Sequence, residues 1–196
     1  FTFQKLTRSC VVKLNTGSGN NFIVKDKASI SDFNLIHKKL KKIMHNDFSL
    51  ISREIHYKKI KPRILIEQLI DYPINDYKFF CLNGSPFMVQ VDQDRFIDHK
   101  RDFFNLNWEK QDISLVYPNS KSIIEKPQRL NEMIEISKKL CKDFFFCRVD
   151  LYDSKNSIYF GEITLFPEGG VGPFKTYEMD LKMGEFIDLS LLSNED

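Results

Sequence analysis

A predicted β-hairpin in the C-terminal part of the sequence constrains the fold most. Segments 147–152 (CRVDLY) and 158–165 (IYFGEITL) have the composition of strands, and the polar connection between them is short enough for a hairpin loop. Residues on opposite arms of a hairpin can share one face of a sheet, so we expect Asp150, Glu162 and Arg148 to point into one cleft. Such a cleft suits Mg²⁺, which takes one or two protein carboxylates and completes its shell with phosphates and water.

The N-terminal part carries a second predicted phosphate-binding element. Lys13 interrupts an apolar run that predicts a strand at 9–14, a Gly-rich loop follows, and a short strand is expected at 22–25. Small loop residues let backbone N–H groups approach phosphate oxygens, and a buried ammonium needs an anionic partner. The loop residues predicted to contact phosphate are Gly17, Ser18, Gly19 and Asn20. The loop lacks the Walker A and G-x-G-x-x-G patterns, so an ordinary hairpin turn remains the alternative.

Length and composition limit the classes of protein. A chain of 196 residues with 42% hydrophobic and 29% charged residues can form one domain or two small lobes. A net charge of +2 does not favour nucleic-acid binding. No apolar run approaches the roughly 20 residues that cross a bilayer and no signal peptide begins the chain, so we expect a cytoplasmic protein. The four cysteines form no C-x-x-C pair, and neither a disulfide nor a zinc site is expected.

The remaining segments alternate between helical and strand patterns. Apolar spacing predicts helices at 31–46, 129–142 and 179–192. Further strands are predicted at 63–70, 77–82, 86–91 and 101–104. The pair Asn83-Gly84 predicts a type I′ turn, so the middle of the chain is expected to be an antiparallel sheet. The polar segment 95–128 is expected to form a lid or a substrate loop.

In this order the motifs resemble the ATP-grasp superfamily. Five short segments are more narrowly similar to its TupA-like branch: DYKFF (76–80), DQDRF (92–96), HKRDF (99–103), LNW (106–108) and GEIT (161–164). That branch is associated with teichuronopeptide and other bacterial surface-polysaccharide biosynthesis. The resemblance implies an α+β ATP-grasp fold of two subdomains, 1–70 and 71–196, whose antiparallel sheets sandwich ATP. The lobe that normally precedes them is expected to be missing, since the sequence starts at Phe1 without an initiator methionine.

The resemblance also implies a set of nucleotide and metal contacts. Lys13 and the loop 15–21 would hold the ATP phosphates, and Asp76 would lie near the ribose. The segment that would hold adenine consists of Glu67, Gln68, Leu69 and Ile70. The residues that would hold Mg²⁺ are Asp150, Glu162 and Thr164, the last at a place where the superfamily commonly has Asn.

The implied reaction is ATP-dependent ligation of a carboxylate to an amine through an acyl phosphate. Arg148 would face the transferred phosphoryl group and the tetrahedral intermediate. The cations expected to bind the acid or the acyl phosphate are Lys78, Arg95, Lys100 and Arg101. The substrates would be an amine and a small or glycan carboxylate, such as a sugar acid of a capsule or cell wall, with a peripheral association with the polysaccharide-synthesis machinery left open.

Two other functions remain open at this point. The segment Asp92-Gln93-Asp94 has the D-x-D form with which glycosyltransferases hold a metal and a nucleotide sugar. Alternatively, the chain is a truncated nucleotide-binding module without catalytic activity. The first alternative leaves Lys13 and the Gly-rich loop without a role.

Overall fold

The computed structural model describes residues 9–17, 19–25, 30–52, 54–70, 74–93, 97–154 and 157–187, without the side chains of residues 30, 31, 51 and 52. These residues form helices and antiparallel sheets, as predicted for an α+β protein. The chain divides into two compact units, Phe1–Tyr72 and Pro73–Asp196. Within the described segments, no helix combines the length and the apolar composition needed to cross a membrane.

The first unit contains a three-stranded antiparallel sheet. Its strands are β1 (Cys10–Leu14), β2 (Phe22–Val24) and β3 (Ile64–Gln68), in the order β2-β1-β3. Its helices are α1 (Ile30–Ile43) and α2 (Phe48–Ser52), and a 3-10 turn covers Ile55–Lys59. Side chains alternate along a strand, so Val12 and Leu14 are buried in one cluster with Phe33 and Leu40 of α1. Lys13 therefore lies on the opposite face of β1.

The second unit contains a six-stranded antiparallel sheet. Its strands are β4 (Asp76–Leu82), β5 (Ser85–Gln93), β6 (Lys100–Asn105), β7 (Lys110–Gln111), β8 (Phe146–Asp153) and β9 (Ile158–Thr164), in the order β7-β6-β5-β4-β8-β9. Its helices are α3 (Leu130–Cys141) and α4 (Tyr177–Gly184). Phe79, Val89 and Val149 are buried in one core with Met133 of α3. The other face of this sheet carries charged residues that include Lys78, Asp92, Arg101 and Asp150.

One predicted turn is correct, and one predicted helix is displaced. Asn83 and Gly84 both have positive φ, 50° and 70°, which confirms the predicted two-residue hairpin turn. The last helix was predicted at 179–192, whereas α4 begins at Tyr177 and ends at Gly184. Thr176 caps it by accepting a hydrogen bond from the Met179 amide at 3.3 Å. Residues 188–192 of the predicted helix lie outside the described residues.

The segment predicted as a lid is packed against the sheet. Leu115 and Ile124 are buried, each in a different core cluster. The Trp108 ring stacks on Phe104 at 4.4 Å, and its Nε1 donates to the Ile124 carbonyl oxygen at 3.1 Å. The described part of 95–128 therefore packs into two hydrophobic clusters and does not form a separate loop.

Candidate functional site

A β-bulge places Asp150 and Glu162 on the same face of the sheet. In the β8–β9 ladder Leu151 faces Phe160, whereas Asp150 faces Glu162, so the pairing skips Gly161. A regular ladder would turn the Glu162 side chain to the α3 side, because a shift by one residue moves a side chain to the other face. The predicted convergence of the two carboxylates thus depends on this one extra residue.

Gly161 has little room for a side chain. A Cβ atom at this position would lie 3.0 Å from the Asp150 carbonyl oxygen and 3.0 Å from Cε2 of Tyr152. We therefore predict that Gly161→Val lowers the free energy of unfolding by about 1–3 kcal/mol, measured by urea denaturation. Gly184→Val is the matched control, since among the described residues no atom beyond its chain neighbours and its own helix backbone lies within 4 Å of a Cβ there. Equal losses in the two variants would contradict the role of the bulge.

Lys78 and Arg148 surround the Asp150 carboxylate. The Lys78 ammonium contacts Asp150 Oδ2, and it lies 2.7 Å from Asp76 Oδ2. Arg148 donates from Nε to Asp150 Oδ1 at 2.7 Å and from Nη2 to Oδ2 at 2.8 Å. Burial opposes the charge of Arg148, but the neighbouring carboxylates, Asp150 first among them, raise its pKa. Both cations are therefore held in position by a carboxylate that is itself buried.

Glu162 lies at the accessible rim of this cluster. Its side chain is 63% exposed, and its Oε1 is 3.7 Å from Arg148 Nη2. The Thr164 hydroxyl lies 3.2 Å from both Glu162 Oε1 and Arg148 Nη2. Glu162 and Thr164 thus offer oxygen atoms beside the buried Asp150.

The oxygen donors of the cluster fit Mg²⁺ only if a ligand supplies further oxygens. Among the described residues, no three His, Cys, Asp or Glu side chains are arranged to hold a metal by themselves. Asp150, Glu162 and Thr164 provide hard oxygen atoms, which Mg²⁺ prefers. The cluster contains three carboxylates, those of Asp76, Asp150 and Glu162. Its two cations are Lys78 and Arg148, so the cluster has one net negative charge. The donor set therefore suits Mg²⁺ that also binds phosphate oxygens and water.

A second buried ion pair lies on the same face of the sheet. Arg101 on β6 donates from Nε to Asp92 Oδ1 at 2.7 Å and from Nη2 to Oδ2 at 3.1 Å. Gln90 Nε2 lies 3.1 Å from each Asp92 oxygen. Burial alone would raise the pKa of Asp92, but the hydrogen bonds and charge of Arg101 outweigh burial and lower it. Asp92 is therefore an ionised structural partner of Arg101.

This arrangement argues against a D-x-D metal site. Both oxygens of Asp92 accept hydrogen bonds from Arg101, and the residue is buried. Asp94 lies outside the described residues. No observation on this part of the chain favours the glycosyltransferase alternative.

The Arg101 guanidinium has a second carboxylate partner and lies against an aromatic ring. Its Nη1 donates to Glu168 Oε1 at 2.7 Å. The Tyr117 ring centroid lies 4.9 Å from Arg101 Cζ, and the His99 ring packs on Tyr117 at 3.7 Å. Glu168 was missed by sequence reasoning, because no local pattern links residues that are 67 positions apart.

The other predicted cations differ in their surroundings. Lys78 and Arg101 are buried in the two clusters, whereas Lys100 pairs with the exposed Asp98 at 2.7 Å. Arg95 lies outside the described residues. The cationic residues thus divide into two buried, fixed side chains and one surface ion pair.

In the first unit, Lys13 already has a partner within the protein. Its ammonium lies 2.7 Å from Glu67 Oε2, and its side chain is 28% exposed. The Lys13 ammonium is therefore only partly buried and already has an anionic partner, because strand alternation turns Lys13 away from α1. Glu67 opens the segment predicted to hold adenine, where the Leu69 amide donates to the Ser9 carbonyl oxygen at 3.0 Å.

The Gly-rich loop depends on its glycines. Gly17 and Gly19 both have φ of 80°, a conformation that favours glycine. A Cβ atom at Gly17 would also lie 2.7 Å from the Phe48 ring. The Asn15 side chain anchors the start of the loop by accepting from the Arg63 amide at 2.6 Å. Ser18 lies outside the described residues.

Comparisons with known proteins identify related sequences and folds. The family model described as TupA-like ATPgrasp matches residues 1–188. D-alanine–D-alanine ligase from Bacillus anthracis is 18% identical with a TM-score of 0.53, and the match covers 100% of this chain and 60% of that chain. Its complex with ATP gives 17% identity, a TM-score of 0.53, and coverage of 100% and 58%.

The ligase of the same name from Helicobacter pylori is 17% identical with a TM-score of 0.45, covering 85% of this chain and 45% of that chain. No curated protein sequence matches. At these identities the Bacillus anthracis structures show a shared fold alone. This chain spans about 60% of their length.

Proposed function

We propose, because this chain belongs to the TupA-like ATP-grasp family, that it is a ligase that joins a carboxylate to an amine with ATP. The acid would be a sugar acid of a bacterial capsule or cell-wall polysaccharide. The observation that carries the proposal is the adjacent placement of Asp150 and Glu162 with Arg148 on one sheet face. The fold shared with an ATP-bound D-alanine–D-alanine ligase supports the same proposed function.

The first unit would bind the nucleotide. Lys13 would exchange Glu67 for the ATP phosphates, a change that costs little because both partners are partly exposed and such ion pairs contribute about 0–1 kcal/mol. The loop from Gly17 to Asn20 would add backbone N–H groups to the phosphates. The segment 67–70 would hold adenine, while Asp76 of the second unit would contact the ribose.

Asp150, Glu162 and Thr164 would hold Mg²⁺, which supplies charge neutralisation for the ATP phosphates. In the first step, a substrate carboxylate oxygen bonds to the γ-phosphorus while the bond from that phosphorus to ADP breaks. In the second, the amine nitrogen bonds to the acyl carbon, inorganic phosphate leaves, and the amine gives up a proton to solvent.

Both steps build negative charge on oxygen atoms. Arg148 would stabilise that charge, since Asp150 fixes its guanidinium in place before the substrate arrives. Lys78, Arg95, Lys100 and Arg101 would contribute contacts to the acid or to the acyl phosphate. Positioning and cations would supply the catalysis, so the reaction needs no protein nucleophile.

The nucleotide assignment predicts a selective thermal shift. ATP with Mg²⁺ is expected to raise the melting temperature of the chain, with a stabilisation of about 2.7 kcal/mol at 100 times Kd, whereas UDP-glucose is not. Lys13→Ala should remove the ATP effect, because it deletes the cation at the phosphates. The control is Lys41→Ala, on the exposed side of α1, which should keep the full shift.

Other outcomes would contradict the proposal or support one of the two alternative functions. A full ATP shift in Lys13→Ala would contradict the phosphate assignment. Stabilisation by UDP-glucose that disappears in an Asp92 variant would support the glycosyltransferase. An ATP shift without ADP formation from any acid and amine pair would support the non-catalytic module.

A further inference from the structure

We propose that Glu168 occupies the position on Arg101 at which the carboxylate of the acid substrate binds, and that displacing Glu168 limits the affinity for that substrate. This inference rests on the proposed function and adds a residue that sets substrate affinity. The ligand class is a hydroxylated carboxylic acid, such as a uronic acid.

Arg101 is a preformed anion site with one nitrogen directed away from its structural partner. Asp92 binds Nε and Nη2 together, and the Arg101 side chain is only 3% exposed, so the guanidinium cannot turn freely. The remaining nitrogen, Nη1, has Glu168 at 2.7 Å and the Leu115 carbonyl oxygen at 3.4 Å. A carboxylate at Nη1 is therefore held by a guanidinium that is already fixed.

Glu168 is the displaceable member of this group. Its side chain is 27% exposed, in contrast to the buried Asp92. It has φ of 54°, and Gly169 and Gly170 that follow also have positive φ, 64° and 72°. A left-handed conformation at a non-glycine residue is strained. Release of Glu168 from Arg101 would therefore relieve strain, and the two glycines would allow the loop to move.

Exchange of one carboxylate for another suits the charges around Arg101. A substrate carboxylate would replace the single negative charge of Glu168 and leave the total unchanged. A phosphate dianion would add a negative charge beside the buried Asp92, which is unfavourable in a medium of low polarity. The site therefore favours a carboxylate over a phosphate group.

The surroundings of Arg101 also contain hydrogen-bonding capacity that the described residues do not use. Gln90 Oε1 is buried and accepts no hydrogen bond from any described residue. His99 Nε2 likewise makes no hydrogen bond there, although it lies 3.4 Å from Asp92 Oδ1. Buried polar atoms are usually satisfied, so these two atoms suit a substrate that carries hydroxyl groups.

Isothermal titration calorimetry with D-glucuronate tests the proposal, with D-glucose as the uncharged comparison. Glu168→Gln keeps the size of the side chain but weakens its hold on Arg101, so the Kd of D-glucuronate is expected to fall about tenfold. D-glucose should bind no better in the variant than in the unaltered chain. The matched control is Glu125→Gln, at an exposed position, which should leave the Kd unchanged.

Two further measurements separate the possible failures. Adding Arg101→Lys to Glu168→Gln should remove the gain, because lysine lacks the forked guanidinium. No change in the D-glucuronate Kd, or a gain for inorganic phosphate in its place, would overturn the proposal. The thermal shift with ATP and Mg²⁺ is recorded on the same samples. Its presence shows that the proposed function survives such a result, and its absence counts against the proposed function itself.

Discussion

Glu162→Gln is expected to reduce ADP formation by at least about 100-fold while leaving the stability of the protein unchanged. The substitution removes the negative charge that would bind Mg²⁺ but keeps an oxygen that can accept from Thr164. Because the Glu162 side chain is 63% exposed and lies 3.7 Å from Arg148, its charge contributes little to folding. The measurement is ADP release over a panel of acid and amine pairs, with urea denaturation of the same samples.

Glu135→Gln on α3 serves as the matched control, since this glutamate is exposed and lies outside the site. It should retain the full rate of ADP formation. Unimpaired turnover in Glu162→Gln would remove this residue from the metal site. Loss of turnover together with a large loss of stability would show that Glu162 acts on the fold instead.

Lys78→Met is expected to cause the largest loss of stability, about 3–5 kcal/mol in the free energy of unfolding. The ammonium of Lys78 contacts two buried carboxylates, those of Asp76 and Asp150. Methionine fills a similar volume without a charge, so the variant leaves both carboxylates in a buried setting without their shared cation. Urea denaturation measures the change.

The control for this prediction is Lys100→Met. Lys100 pairs with Asp98, whose side chain is largely exposed, so its loss should cost no more than about 1 kcal/mol. A Lys78→Met variant as stable as Lys100→Met would show that the buried cluster tolerates the loss of a cation. The charged cluster around Asp150 would then not require Lys78 in order to fold.

Much of the fold followed from local patterns. Apolar and aromatic composition, together with turn signals, located β1, β4, β5 and β8, and helical spacing located α1 and α3 to within a few residues. The family match confirms the ATP-grasp fold that the motif order had suggested. These signals are local, because strand and helix periodicity and turn chemistry act over a few neighbouring residues.

The partners of the charged residues were not predictable in the same way. Lys13 was expected to need a phosphate, yet it pairs with Glu67 from a strand more than fifty positions later. Asp92 was considered as a D-x-D metal ligand, yet it is buried and both of its oxygens accept hydrogen bonds from Arg101. In both cases the partner is set by which strands are neighbours in the sheet and by the register between them.

Local patterns along the chain indicated most of the strands and helices, and which residue types are available for phosphate, metal and acid. Which of these residues meet depends on the pairing of the strands in the folded sheet. The skip at Gly161 turns Glu162 to the side of Asp150, and a single-residue difference in register would have placed it on the opposite face. This difference arises because side-chain direction along a strand alternates locally, whereas the register between strands depends on packing of the whole sheet.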